Sequence, residues 1–407
     1  MSDAVLLDPV LLRDRFSQAL SAMYRQEVPL YGDLLRIVAD TNRAAGGADD
    51  QRLGSERHGA IRVGTAAELR LIARLFAVMG MRPVGYYDLA SAGVPVHSTA
   101  FRPVRIADLD RSPFRVFTSL LRPELIADAA LREEALAILA ARRLGSDRLD
   151  ALLARAEAEG GLPAEDAPAL IAEALSLFRW HDSATVSAAL YARLRAAHPL
   201  VADVVCFRGP HINHLTPRTL DIDAAQAAMR AAGMNPKAVI EGPPRRKAPI
   251  LLRQTSFQAL SETVRFSDAP GTHTARFGEI EQRGTALTPA GRALYDAALD
   301  RLQAERAAGR SRDEAEAISF AALPDDPDAL RETGLAFFDR RTGLPLLYED
   351  FLPVSAAGIF RSNLGSEAGE NGLEAGTRAA LEDAIGTRLL DEMALYAAQA
   401  DGRDDFS

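Results

Sequence analysis

Along residues 58–121, the spacing of hydrophobic residues is that of a strand in some segments and that of a helix in another. Together these segments predict a single supersecondary unit. A short extended run at 58–63 precedes Thr65, which with Glu68 three residues later gives the pattern of a capped helix start. Apolar residues then recur at helical spacing until Gly80. Three strand-like runs follow, at 83–89, 94–104 and 114–121. The predicted order is therefore one strand, one helix and three strands.

The same order returns in the second half of the chain, where His214 takes the place of His58. In both copies an Arg follows the His by four residues, and a helix N-cap residue follows it by seven. After the second helix, strands are predicted at 238–241, 250–257 and 273–282. We interpret this match as a duplicated unit, because the His, the cap and the helix exit agree jointly. Duplication predicts that His58 and His214 meet at the centre of the fold.

These patterns predict an α+β fold, in which two βαβββ modules form an open cup-shaped sheet with helical insertions. The predicted segments are an N-terminal helical region at 1–54, a first module at 55–122, a helical insertion at 123–200, a second module at 201–284 and a C-terminal helical region at 285–407. Within the last region, a loop at 347–365 is rich in small residues, and the polar stretch at 366–377 is also predicted to be a loop.

The two repeat-equivalent histidines are the best candidates for metal ligands. A third donor is available in FGEIEQRG, where strand alternation puts Glu279 and Glu281 on the same face, so that spacing does not choose between them. Two imidazoles and one carboxylate, with other positions open, are typical of non-haem Fe(II) oxygenases, and zinc is the competing occupant. The alternative is that both glutamates face solvent on an edge strand.

Arg62 indicates an anionic substrate. It follows His58 by four residues, which in an extended strand places both side chains on one face. Its planar guanidinium suits a carboxylate, although it could instead pair with a nearby acid such as Glu56. The loop YEDFLPVSAAGIFRSNLG could close over a ligand with Ser355 as a donor, or it could simply pack tightly.

Composition mainly excludes function classes. The chain has 407 residues, of which 48% are hydrophobic and 25% charged, with a net charge of −9, so we expect no nucleic acid partner. Its only cysteine, Cys206, lies in an apolar run and is predicted to be a buried strand residue. No signal peptide and no run of about 20 apolar residues is present, so we expect a cytoplasmic protein without a membrane span.

Several long stretches carry a resemblance to a known family. They include ERHGAIRVGT, YYDLASAGVPVHSTAFRPV, GPHINHLTPRTLDID, GTHTARFGEIEQRGTALTP and YEDFLPVSAAGIFRSNLG. At these stretches the chain closely resembles the 2-oxoadipate dioxygenase/decarboxylase family, long catalogued as a domain of unknown function and related to the vicinal oxygen chelate superfamily. The chain departs from the family by being shorter before residue 55 and between about residues 304 and 347, outside every matched motif.

The resemblance implies an Fe(II) enzyme that uses O2 to convert 2-oxoadipate to 2-hydroxyglutarate and CO2 in lysine catabolism. It implies His58, His214 and Glu279 as catalytic metal ligands, and FGEIEQR is similar to the strand of 4-hydroxyphenylpyruvate dioxygenase whose first acid binds metal. It also implies substrate contacts from His58 and Arg62, and from the loop residues Val354 and Ser355.

Two other functions stay open on the residues alone. One is an oxygen-independent zinc or nickel isomerase or lyase of the same superfamily, in which the metal acts as a Lewis acid. The other is a protein that binds a small anion or a metal without turnover. The sequence leaves the oligomeric state open.

Overall fold

A computed structural model describes residues 5–48, 50–352 and 371–403 of the chain. Val354 and Ser355, the loop residues predicted to contact substrate, lie outside the described residues. The helices are α1 (Pro9–Glu27), α2 (Pro29–Ala44), α3 (Gln51–Ser55), α4 (Ala66–Val78), α5 (Ile106–Arg111), α6 (Ala129–Ala141), α7 (Asp147–Glu159), α8 (Ala167–Phe178), α9 (Ala188–Ala197), α10 (Pro199–Val205), α11 (Ile222–Ala231), α12 (Pro289–Ala307), α13 (Arg312–Ser319), α14 (Pro327–Glu332), α15 (Asn371–Ile385) and α16 (Glu392–Ala400). The strands are β1 (Arg57–Val63), β2 (Arg82–Asp88), β3 (Val96–Arg102), β4 (Arg115–Leu121), β5 (Leu215–Pro217), β6 (Leu252–Ser256), β7 (Ser261–Arg265), β8 (Pro270–Thr274) and β9 (Glu279–Arg283).

The first copy forms the predicted βαβββ unit. Thr65 caps α4 by accepting a hydrogen bond from the backbone of Glu68, and the helix buries Leu69, Ile72 and Phe76 completely. After α4, strand β3 pairs antiparallel with both β2 and β4, and β4 lies parallel to β1. The sheet order β2-β3-β4-β1-β5 therefore puts β1 at the boundary with the second copy. The α+β class is confirmed.

The second copy repeats this plan with shorter ladders. Asp221 caps α11 as predicted, β6 pairs antiparallel with β9, and an isolated parallel bridge from Arg218 to Glu281 joins the end of β5 to β9. The prediction of a strand at 238–241 was wrong. This region forms only isolated β-bridges, at Pro236 and Glu241. Its few backbone pairs still lie beside β6, as the repeat requires.

The single strand predicted at 273–282 was also wrong. It is divided into β8, which forms a hairpin with β7, and β9, which pairs with β6. The break lies at 275–278, where the Phe277 N–H donates to the carbonyl of Asn213 and leaves the ladder. Gly278 then packs so closely on the ring of Phe257 that a Cβ would lie 2.2 Å from it, so the chain changes partner there.

The two copies meet through an antiparallel pair formed by β1 and β5. Gly59 pairs directly with Leu215, and these residues immediately follow His58 and His214. Repeat-equivalent residues therefore face one another across the junction, as two-fold-related strands require. The prediction that duplication brings the two histidines together is confirmed.

Two local predictions from the sequence were wrong. Cys206 is buried, but it is the C-cap of α10 and not a strand residue, because Pro199 starts a helix in that apolar run. The polar stretch at 366–377 was predicted to be a loop, yet α15 begins at Asn371. Among the described helices, none is both long and apolar enough to cross a membrane.

Candidate metal centre

Three ligand-type side chains converge at the junction of the two copies. His58 Nε2 lies 3.3 Å from Glu279 Oε2, and His214 Nε2 lies 3.6 Å from the same oxygen. The two imidazole rings are perpendicular, with centroids 5.5 Å apart, and all three residues are buried. One donor atom from each lies within 4.8 Å of the others. The histidines and one of the two glutamates singled out in the sequence therefore share one site.

Each of the three residues is placed by backbone pairing. His58 is the second residue of β1, His214 immediately precedes β5, and Glu279 begins β9. The carboxylate of Glu279 is held in turn, because Oε2 accepts hydrogen bonds from Thr216 Oγ1 at 2.9 Å and from Gln254 Nε2 at 3.0 Å. Because both donors come from strands of the second copy, that copy fixes the carboxylate.

The structure separates the two glutamates that strand spacing left equivalent. Glu281 lies on the other side of His58, with Oε2 2.9 Å from His58 Nδ1, while Glu279 faces His58 Nε2. Arg283 binds Glu281 through two hydrogen bonds of 2.8 and 2.9 Å. A carboxylate on the outer nitrogen of an imidazole fixes the orientation of the ring and makes the inner nitrogen a better ligand.

Burial and charge set the protonation of these groups. Burial lowers the pKa of His214 to about 4, so its imidazole is neutral at pH 7. Burial would lower the pKa of His58 as well, but Glu281 and Glu279 raise it above its ordinary value. Burial opposes ionisation of Glu281, yet Arg283 and His58 bring its pKa to about 2. The pKa of Glu279 is also below its ordinary value, because burial is outweighed by the two histidines.

This donor set fits a divalent first-row metal. The Nε2 atoms of His58 and His214 approach one ionised carboxylate oxygen of Glu279. Two histidines and one carboxylate on one side of a metal leave other coordination positions for substrate. Aromatic rings close the site, because Phe351 lies 4.9 Å from the His58 ring and Phe277 lies 4.6 Å from the His214 ring.

Arg62 lies on β1, four residues after His58, and its side chain is 22% exposed. Burial is the main cause of the low pKa of His214, and the positive charges of His58 and then of Arg62 lower it further. Arg62 Nη1 donates to Asp203 Oδ2 at 2.7 Å. The alternative partner considered from the sequence, Glu56, is bound instead by three other arginines, at 52, 115 and 218.

Residues 348–351, at the start of the predicted active-site loop, are held in place by Arg283, the residue that also binds Glu281. Arg283 Nη1 donates to the carbonyl oxygens of Tyr348 and Asp350, both at 2.9 Å. Its guanidinium also lies over the ring of Phe351, 5.4 Å from the centroid. The arginine that holds Glu281 therefore also fixes the chain just before residue 353.

A second group of buried polar residues was missed from the sequence. Asp203, His211 and His273 also offer donor atoms within 4.8 Å of one another, and Asp203 is the partner of Arg62. The two histidines lie in the motifs GPHINH and GTHTAR, close in sequence to the candidate metal ligands. That closeness was the one signal in the sequence that could have indicated this second group. Asp203 gave none, because it lies in a helix outside those motifs.

Comparisons with known proteins agree with this geometry. A family model described as 2-oxoadipate dioxygenase/decarboxylase matches residues 16–363. A protein of that name from Pseudomonas putida is 54% identical over 96% of this chain and 95% of its own length. Its counterpart in Escherichia coli is 50% identical over 97% of each chain.

A solved structure is equally similar. The crystal structure of the hydroxyglutarate synthase in complex with 2-oxoadipate from Pseudomonas putida has a TM-score of 0.89 and 52% sequence identity, and the match covers 98% of this chain and 97% of that chain. Both the sequence and the whole fold are therefore shared over nearly the full length. The chain belongs to the 2-oxoadipate dioxygenase/decarboxylase family.

Proposed function

We propose that this protein is an Fe(II) dioxygenase that converts 2-oxoadipate and O2 to 2-hydroxyglutarate and CO2, with His58, His214 and Glu279 as the iron ligands. The observation that carries the proposal is the buried arrangement of two histidines around one carboxylate oxygen, in a chain of this family. The atoms balance, because a six-carbon oxo diacid and O2 give a five-carbon hydroxy diacid and CO2. No second 2-oxo acid is required.

The metal and the chain have distinct tasks in this reaction. Bound Fe(II) would supply a Lewis-acidic, redox-active centre for the 2-oxo acid end of the substrate and for O2. Glu281 would serve as the charged partner at the outer nitrogen of His58, 2.9 Å away, and Thr216 with Gln254 orients Glu279 through hydrogen bonds. The rings of Phe351 and Phe277 keep water from the histidines.

Arg62 binds the distal carboxylate of the substrate in this proposal. It lies on the strand that carries His58, its side chain is partly exposed, and its planar array of N–H groups matches a carboxylate. Val354 and Ser355, which lie outside the described residues, are implied by the family resemblance as further substrate contacts. We place the reaction in lysine catabolism and in the cytoplasm, a reducing compartment that suits ferrous iron and a chain with one cysteine.

Oxygen uptake by the Fe(II)-loaded protein tests the reaction. On addition of 2-oxoadipate, we expect one O2 consumed for each CO2 and each 2-hydroxyglutarate formed. The same protein loaded with zinc provides the control and should consume no O2. Turnover without O2 would instead indicate an isomerase or lyase, and metal and anion binding without turnover would indicate a binding protein.

Replacement of Arg62 by Gln tests its role in selecting the diacid. The substrate pair is 2-oxoadipate and 2-oxohexanoate, which has a methyl group in place of the distal carboxylate. We expect the ratio of kcat/KM for the diacid to that for the monoacid to fall by roughly 10- to 100-fold, because a charge-assisted hydrogen bond of about 1.5–3 kcal/mol is lost. An unchanged ratio would remove Arg62 from substrate selection.

A further inference from the structure

Arg62 belongs to a buried chain of hydrogen bonds that leads away from the metal centre. Its Nη1 donates to Asp203 Oδ2 at 2.7 Å, and the other oxygen of Asp203 lies 3.0 Å from His273 Nε2. His273 Nδ1 in turn lies 2.9 Å from the hydroxyl of Tyr191. We call the three residues linked in this way to Arg62, namely Asp203, His273 and Tyr191, the arginine relay.

The relay joins segments that are far apart in sequence. Arg62 is on β1, Asp203 on α10, His273 on β8 and Tyr191 on α9. Two of these elements, α9 and α10, lie between the two copies of the βαβββ unit. The β7–β8 hairpin interrupts the second copy. Elements outside the duplicated framework therefore supply every member of the relay.

We propose that the arginine relay positions the guanidinium of Arg62 for the distal carboxylate of the substrate, and so determines the preference for a dicarboxylic acid. This inference rests on the proposed function, in which Arg62 binds that carboxylate. An unanchored arginine side chain has many rotamers, and fixing it only when substrate binds costs conformational entropy. Asp203 removes that cost in advance through Nη1, which leaves other N–H groups of the guanidinium for the ligand.

The proton positions along the relay are consistent with this role. Burial alone would raise the pKa of Asp203, but His211, His273 and Arg62 hold it well below its ordinary value, so the carboxylate is ionised. An ionised carboxylate can only accept, so His273 donates to it through Nε2–H. With the Nε2 proton directed at Asp203, the Nδ1 atom of His273 can accept the hydroxyl proton of Tyr191, 2.9 Å away. Each contact from Arg62 to Tyr191 thus pairs one donor with one acceptor.

A second metal site at Asp203, His211 and His273 is the competing explanation. The three donors are close enough, but the charge of Asp203 is already balanced by Arg62, and a dication there would lie beside a guanidinium. The His273 nitrogen that a metal would need carries the proton given to Asp203. Trp180 and Phe207 pack on both histidine rings, with centroids 4.6–6.0 Å apart. The surroundings favour a positioning role.

The test uses the Fe(II)-loaded full chain and the 2-oxoadipate to 2-oxohexanoate ratio of kcat/KM. We expect Asp203→Asn to lower this ratio by on the order of tenfold, mainly through a higher KM for the diacid. Tyr191→Phe keeps the ring and removes only the hydroxyl, so we expect a loss of roughly threefold. Asp182→Asn, at an exposed carboxylate of the same region, is the matched control and should leave the ratio unchanged.

A double variant separates positioning from general damage. If Asp203 acts through Arg62, then Asp203→Asn in an Arg62→Gln background should not lower the ratio further. A ratio that is unchanged in Asp203→Asn but reduced in Arg62→Gln would overturn the relay and leave the proposed function intact. An unchanged ratio in Arg62→Gln would overturn both the Arg62 role and the relay.

Two further readouts complete the test. The iron content should stay at one equivalent per chain in every relay variant, and a second metal equivalent that disappears in Asp203→Asn would overturn the positioning role in favour of a metal site. If Asp203→Asn does not fold, Tyr191→Phe decides the question, because it preserves all side-chain packing except one hydroxyl. An unchanged ratio in that variant would then refute the relay.

Discussion

Glu279→Gln is expected to abolish oxygen uptake, whereas Glu281→Gln is expected to retain the reaction with weaker iron binding. Glu279 Oε2 faces both histidines, so an amide there removes the one anionic ligand among the three residues proposed. We expect a loss in kcat/KM on the order of a thousandfold or more, equivalent to several kcal/mol. Glu281 contacts only the outer nitrogen of His58, and loss of such a partner weakens metal affinity by roughly 10- to 100-fold.

The two variants are isosteric, so their comparison isolates the charge at each position. Iron affinity is measured by equilibrium titration under anaerobic conditions, and oxygen uptake at saturating iron follows. Glu157→Gln, at a half-exposed carboxylate paired with Arg74, is the control and should match the parent protein in both measurements. If Glu281→Gln lost iron completely while Glu279→Gln kept it, the ligand assignment would have to be exchanged.

Arg102→Met is expected to lower the free energy of unfolding by about 3–5 kcal/mol, the largest stability effect proposed for this chain. Arg102 binds Asp350 through two hydrogen bonds of 2.6 and 2.8 Å, and both side chains are fully buried. Removal of the guanidinium leaves the carboxylate of Asp350 buried, and among the described residues only the hydroxyl of Tyr396 then donates to it, at 2.6 Å. An uncompensated buried charge is the source of the loss.

Urea unfolding of Arg102→Met and of two matched variants measures this effect. Arg74 pairs with Glu157 through the same two-bond geometry, but at the surface, so Arg74→Met should cost about 1 kcal/mol or less. The double variant Arg102→Met with Asp350→Leu should recover part of the stability, because the unpaired charge is gone. A cost for Arg102→Met no larger than that for Arg74→Met would show that the buried pair does not stabilise the fold.

The same variant bears on the active site. Asp350 is fixed by Arg102 through its side chain and by Arg283 through its carbonyl oxygen. Arg283 also holds Glu281 against His58. We therefore expect the folded fraction of Arg102→Met to bind iron less tightly than the parent protein.

Local patterns were sufficient for the first copy of the repeat. Thr65, the apolar spacing of α4 and the exit at Gly80 depend only on residues within a few positions of one another. Strands β2 and β4 follow with boundaries within one residue of those predicted, and β3 begins and ends two residues inside its run. Periodicity and capping are decided by neighbours in sequence, so they can be read without the fold.

The second copy could not be predicted as well, because tertiary contacts override its local pattern. The run at 273–282 has strand-like composition throughout, yet it divides where Phe277 bonds to Asn213 and Gly278 meets Phe257. Both partners come from other parts of the chain. A residue-by-residue pattern contains no information about such a contact.

The sequence by itself determined the duplication, the pairing of His58 with His214 and the residue types of a metal centre. The tertiary structure decided which glutamate faces both histidines. Glu279 and Glu281 share one face of β9, but Glu279 lies opposite the Nε2 atoms of both rings and Glu281 lies opposite only Nδ1 of His58. It also decided that Arg62 pairs with Asp203, an acid 141 positions away, and not with Glu56. Strand periodicity fixes the face on which a side chain lies, but its partner depends on how distant segments pack together.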